Sequence, residues 1–147
     1  MKDSRKIAIT GGIGVGKSYV CSLLNVRGIH VYDCDAAAKR LIAQSESLQA
    51  KINVLLGKNV FVDGIFNKQE LAQFILKSDA NRIAVNNIIH PAVAEDFMNS
   101  GYDWLESAIL FDSGFDRRTH LDFVVCVTAP VSVRLQRIMK RDHISEQ

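Results

Sequence analysis

Apolar residues along the chain fall into two kinds of cluster, short continuous runs and longer stretches at helical spacing, and the two kinds alternate. Lys6 to Thr10 reads as a short buried strand. A glycine-rich turn follows, and the spacing then predicts a helix from Lys17 to Val26, with Val20, Leu23 and Leu24 on one face at i, i+3, i+4. Gly28 suits the end of that helix. Ile29 to Tyr32 is a second predicted strand, and Asp35 is placed to cap a helix carrying Ala38, Leu41 and Ile42.

The middle of the chain is predicted helical. Leu48, Ile52 and Leu55 form a stripe that stops at Gly57, and Val62-Asp63-Gly64-Ile65 reads as a tight turn or small hairpin. Leu71, Phe74 and Ile75 mark another helix. Val85, Ile88, Ile89 and Ala92 mark a further one, with a break or kink expected at His90-Pro91 because proline disfavours helix at the preceding residue. Ser107 to Phe111 and Phe123 to Val127 read as strands. Pro130 opens a last helix with Val131, Leu135 and Ile138 facing inward. Strands alternating with helices predict an α/β fold with a parallel sheet and right-handed crossovers. Ile144 to Gln147 looks like the start of another helix, which points to a chain that continues beyond this sequence.

Composition narrows the function classes. The length of 147 residues fits one domain with a sizeable core. A net charge of +2 is too small for a typical nucleic-acid binder. Cys21, Cys34 and Cys126 form no metal-ligand spacing, and an odd count argues against a disulfide framework. The N-terminal apolar stretch is short and interrupted, so neither a signal peptide nor a membrane span is read there, and a cytoplasmic protein is expected.

Gly11-Gly12-Ile13-Gly14-Val15-Gly16-Lys17-Ser18 fits G-x-x-x-x-G-K-[ST], between a predicted strand and a predicted helix. In such a loop, glycines let backbone N–H groups point at phosphate oxygens, and the helix N-terminus adds its positive dipole end. Gly12, Ile13, Gly14, Val15, Gly16, Lys17, Ser18 and Tyr19 are therefore candidate ATP-binding residues. Lys17 is expected at the β- and γ-phosphates and the Ser18 hydroxyl at Mg²⁺. The fold this predicts is the P-loop NTPase three-layer sandwich. A GTPase would need D-x-x-G, and no aspartate here has glycine three residues later. Asn67-Lys68-Gln69-Glu70 superficially matches a guanine-reading motif but reads better as a polar helix start.

A kinase also needs a group to take the acceptor proton. Asp33 ends the second predicted strand, where parallel sheets bind ligands. It reads equally as a base or as a turn or helix cap. Asp112, after the predicted strand ending at Phe111, reads as a carboxylate near Mg²⁺ or the acceptor, or as a plain loop residue. Arg134, Arg137, Lys140 and Arg141 fit a phosphate-covering lid or a solvated basic face, and with a phosphate loop present the lid is preferred for Arg137 and Arg141.

Several blocks together resemble the dephospho-CoA kinase family: Ile9 through Ser18, Gly28 through Asp35 with its D-x-D, Asn87-Ile88-Ile89-His90-Pro91, Ala108 through Asp112, and Arg134 through Asp142. The resemblance implies transfer of the ATP γ-phosphoryl group to the ribose 3′-hydroxyl of dephospho-CoA, the last step of coenzyme A synthesis, with ATP and Mg²⁺. It makes Asp33 the general base and gives Lys17 and Arg141 catalytic roles. It assigns acceptor contacts to Asp33, Arg40, Lys68, His90 and Asp112, and an ATP contact to Arg137. It also implies a single kinase domain over 1–147, a helical acceptor-binding region at about residues 36–102, a lid starting at about residues 134–147, and a missing C-terminal part. Departures from the family pattern are Tyr19 for a usual Thr, Asp112 for Glu and Lys68 for Arg. Expected partners are ATP and dephospho-CoA, without nucleic acid or membrane, with a monomer favoured. Two rival readings are another P-loop kinase with a nucleotide or shikimate acceptor, and an ATP-binding module without turnover.

Overall fold

The computed structural model describes residues 4–143. In chain order these form β1 (Ile7–Thr10), α1 (Lys17–Val26), β2 (Val31–Asp33), α2 (Cys34–Gln44), α3 (Glu46–Leu56), β3 (Phe61–Val62), β4 (Ile65–Phe66), α4 (Lys68–Leu76), α5 (Asp79–Asn99), β5 (Trp104–Glu106), α6 (Phe115–Arg118), β6 (Phe123–Cys126) and α7 (Val131–Asp142). They divide into two compact units. One takes the segments up to Cys34 and from Ser100 onward, and the other is Asp35–Asn99. The helix start expected at Ile144–Gln147 lies outside the described residues.

The first unit is built on a parallel sheet of order β2-β5-β1-β6. Strand β1 is central and apolar, with Ala8 and Ile9 essentially inaccessible, and Leu105 beside it on β5 is equally buried. The chain leaves β1 toward β2 on one side and later returns to β6 on the other. The C-terminal end of β1 is thus a switch point, the place where such sheets bind ligands. Helix α1 has the predicted limits, and Gly28 follows its end in a left-handed conformation with its N–H on the Asn25 carbonyl. Its inward residues are Val20, Cys21 and Leu24, whereas Leu23 is exposed.

Four expectations need correction here. Strand β2 is Val31–Asp33 rather than Ile29–Tyr32, and α2 begins at once, so Asp35 sits inside its first turn instead of capping it. The strand expected at Ser107–Phe111 is displaced to Trp104–Glu106. The Ser107 hydroxyl accepts the Ile109 N–H, and the Ser113 N–H reaches the Ile109 carbonyl, so local bonds fold 108–114 into turns. On α7, Val131 and Leu135 are exposed, and the half-buried positions are Val133, Arg134, Ile138 and Met139.

The second unit packs its helices around Leu48, Ile52, Val60, Leu71 and Val85. Ser45 caps α3 through the Leu48 N–H, and Asn67 caps α4 through the Glu70 N–H, so the Asn-Lys-Gln-Glu run is the polar helix start read from the sequence. Strands β3 and β4 form the expected hairpin, with the Phe61 and Phe66 rings stacked at 4.7 Å. Helix α5 runs through Pro91 without the expected break. Proline removes one helical hydrogen bond at a cost of about 3 kcal/mol. Burial of Val85 before it and of Val93, Ala94 and Phe97 after it outweighs that cost, since each such side chain contributes about 1.5–3 kcal/mol when large. Among the described residues no helix is long and apolar enough to cross a membrane.

Candidate functional site

Between β1 and α1 the chain makes the glycine-rich turn that the sequence predicts. Gly14 has φ of 77° and Gly16 of 100°, in the left-handed region. A side chain at Gly14 would also strike the Arg134 backbone, its Cβ coming to 2.8 Å of the carbonyl oxygen. At Gly11 a Cβ would come to 2.5 Å of the Val127 carbonyl oxygen. The loop is therefore a cradle that only a bare backbone can form, and it opens directly onto the N-terminus of α1. That donor set fits the phosphates of a nucleotide.

Five successive loop carbonyls are held by cations. Lys17 Nζ donates to Gly11 O at 2.7 Å and Gly12 O at 3.1 Å. Arg134 Nε donates to Ile13 O at 2.9 Å, and Arg137 Nη1 donates to Gly14 O and Val15 O at 3.1 Å each. Arg137 is thus in contact with the loop. Arg141 is exposed and pairs with its neighbour Asp142, which holds that carboxyl below its usual range. Ser18 and Tyr19 are exposed in the first turn of α1, and Ile13 is exposed at the loop's tip, while Val15 is buried and can offer only its backbone.

Asp33 ends β2, and directly across the ladder from it stands Glu106, which ends β5; Glu106 is in turn level with Ile9 of β1. Two carboxylates therefore occupy adjacent strand ends beside the strand that feeds the phosphate loop. Cys21, one helical turn beyond Lys17 on α1, joins them: its thiol hydrogen-bonds to Glu106. Burial, and then the charges of Glu106 and Asp33, push this thiol up to about 11. Alkylation by iodoacetamide at pH 8 is accordingly expected at exposed Cys126 first, with Cys21 labelled at least tenfold more slowly because so little of it is thiolate. Peptide mass mapping over time checks this, and equal labelling rates would contradict the Cys21–Glu106 contact.

Asp112 does not end a strand. It is exposed in the turn that follows β5, and Glu106 holds the strand-end position expected for it. Sequence reading missed Glu106 because Trp104-Leu105-Glu106 is too short for any periodicity to register. Arg40, Lys68 and His90 lie in the second unit. Arg40 forms an ion pair with Asp96, Lys68 is the exposed first residue of α4, and His90 is half-buried in α5.

A family model described as dephospho-CoA kinase matches residues 5–147. The chain belongs to the dephospho-CoA kinase family. It is 42% identical over 147 residues to the dephospho-CoA kinase of Bacteroides fragilis, covering 95% of this chain and 71% of that protein. It is 41% identical to that of Porphyromonas gingivalis, covering 96% and 72%. Among solved structures, that of TT1252 from Thermus thermophilus superposes with a TM-score of 0.78 at 31% identity, over 98% of this chain and 75% of that one. The parallel sheet flanked by helices is the P-loop NTPase fold, as the motif predicts.

Proposed function

We propose that the phosphate loop, Asp33 and Glu106 together form the phosphoryl-transfer site of this family member. As a dephospho-CoA kinase the chain phosphorylates dephospho-CoA with ATP and Mg²⁺, in coenzyme A biosynthesis. The 3′-hydroxyl is the proposed acceptor group. The observation that carries the residue assignment is the pairing of Asp33 with Glu106 at neighbouring strand ends, next to the strand that leads into the loop.

Each residue then has a distinct task. The loop amides from Gly12 to Lys17 and the α1 terminus bind phosphate oxygens, and the Lys17 ammonium turns from the loop carbonyls to the β- and γ-phosphates. Ser18 and Glu106 would hold Mg²⁺, which when bound neutralises charge on the transferring group. Among the described residues no group of three His, Cys, Asp or Glu is arranged to hold a metal, and an ion carried with nucleotide phosphates requires none. Asp33 accepts the proton of the acceptor hydroxyl. Arg137 and Arg141 supply further positive charge from α7. Arg40, Lys68, His90 and Asp112 are carried as acceptor contacts on the family resemblance. A monomer in the cytoplasm completes the proposal.

The test is Mg²⁺-dependent conversion of dephospho-CoA to coenzyme A with ATP, followed by product mass. Glu106→Gln is expected to raise the Mg²⁺ concentration for half-maximal rate about 10–100-fold, the usual scale for losing a group that supports a metal. Preferred phosphorylation of a nucleotide or shikimate, or ATP binding without transfer to any acceptor, would overturn the assignment. An unchanged Mg²⁺ dependence would remove Glu106 from it.

A further inference from the structure

A trans peptide is planar, so its carbonyl and the following N–H point in opposite directions. Whatever fixes the outward carbonyls of a phosphate loop therefore aims its amides inward. Here three cations hold the carbonyls of Gly11 through Val15. Two of them, Lys17 and Arg137, are the ones that the kinase reading sends to phosphates, and in leaving they release the carbonyls they hold. Arg134 is the third, and its carbonyl, that of Ile13, belongs to the peptide whose N–H is Gly14's.

Arg134 is held close to the loop by more than that bond. Its guanidinium lies over Gly12, where an added Cβ would come within 2.7 Å of Nη2. Its own backbone lies against Gly14. Its N–H closes the first turn of α7 on the Pro130 carbonyl, so the residue leaves a rigid helix rather than a loose loop. The side chain is only half-buried, and an apolar residue there would leave the Ile13 carbonyl to water alone.

We propose that Arg134 is a positioning residue for ATP: it holds the Ile13–Gly14 peptide with its N–H aimed at the phosphates, independently of Lys17 and Arg137. The proposal rests on the phosphate-loop reading above. Arg134 touches no reacting atom in this scheme, and acts through the loop. It also ties the orientation of that peptide to the seating of α7.

The experiment compares wild type, Arg134→Ala and Arg134→Lys by calorimetric titration with ATP, by steady-state kinetics for both substrates and by thermal melting. Arg134→Ala is expected to weaken ATP binding about tenfold, the low end for losing a charge-assisted hydrogen bond at a half-exposed site. The KM for dephospho-CoA and the melting midpoint stay near wild type, and Arg134→Lys, which keeps a cationic donor, recovers most of the loss. Unchanged ATP affinity in Arg134→Ala overturns the role, and so does a parallel loss of stability and of affinity for both substrates. Wild type that bound no ATP would instead sink the phosphate-loop reading, and this proposal with it.

Discussion

Replacing Asp33 with Asn is expected to lower kcat by about 10²–10⁴-fold, the range for removing a general base, with the affinity for ATP changed by no more than about threefold. The substitution separates the two roles that the sequence leaves open. Asp33 is the last residue of β2 and directly precedes α2, so it is also in place to cap a helix. Asparagine caps helices about as well as aspartate, is nearly isosteric with it, and cannot take a proton at neutral pH. A residue needed only as a cap would leave Asp33→Asn active and equally stable. A base would leave it folded, ATP-binding and nearly inert. The measurement is a rate of coenzyme A formation at saturating ATP, with a thermal midpoint beside it. Activity within tenfold of wild type would return Asp33 to a capping role and put the burden on Glu106, its partner across the ladder.

What the sequence made legible follows from how each feature is encoded. The phosphate loop and α1 are local: a fixed spacing of glycines and Lys17 dictates a turn and a helix start, and both limits of α1 were readable. The hairpin at Asp63-Gly64 and the stop at Gly57 are local for the same reason. Glu106, the carboxylate proposed for the site, was not legible. Strand β5 is three residues long and exists because it pairs with β1 and β2, a long-range cause that no window of sequence contains. Ser107 to Phe111 looked like the better strand because it is more apolar, yet only Leu110 of its apolar residues is well buried, and two serine hydroxyls turn the chain there. Pro91 bears on the opposite case: a local rule predicts a break or kink, and the helix continues through it because tertiary burial along α5 outweighs the lost hydrogen bond. On α7 an apolar stripe was expected to face inward. The surface it meets is a row of loop carbonyls, so arginines are the complementary residues.

Gly11→Ala is expected to cost about 2–5 kcal/mol of stability, combining backbone strain with steric overlap, and to weaken ATP binding more than about thirtyfold. The new Cβ would lie 2.5 Å from the Val127 carbonyl oxygen and 2.9 Å from Val15 Cγ2, at a φ of 151° that side chains rarely adopt. Neither neighbour can yield cheaply. The Val127 N–H is bonded to the Thr10 carbonyl at the end of the β1–β6 ladder, and Val15 is buried. Relief must come from moving the loop off β6, which displaces the amides proposed to bind phosphate. Gly28→Ala is the control. Gly28 is also left-handed, with φ of 79°, but nothing lies within 4 Å of a Cβ there. Its substitution carries strain alone, about 1–2 kcal/mol, and should leave ATP affinity unchanged. Thermal melting and ATP titration of the two variants make the comparison. Equal effects at the two glycines would show that conformational strain dominates and that the approach of Val127 to the loop is not what shapes it. A loss of ATP binding confined to Gly11→Ala would tie the loop's geometry to its contact with the end of β6.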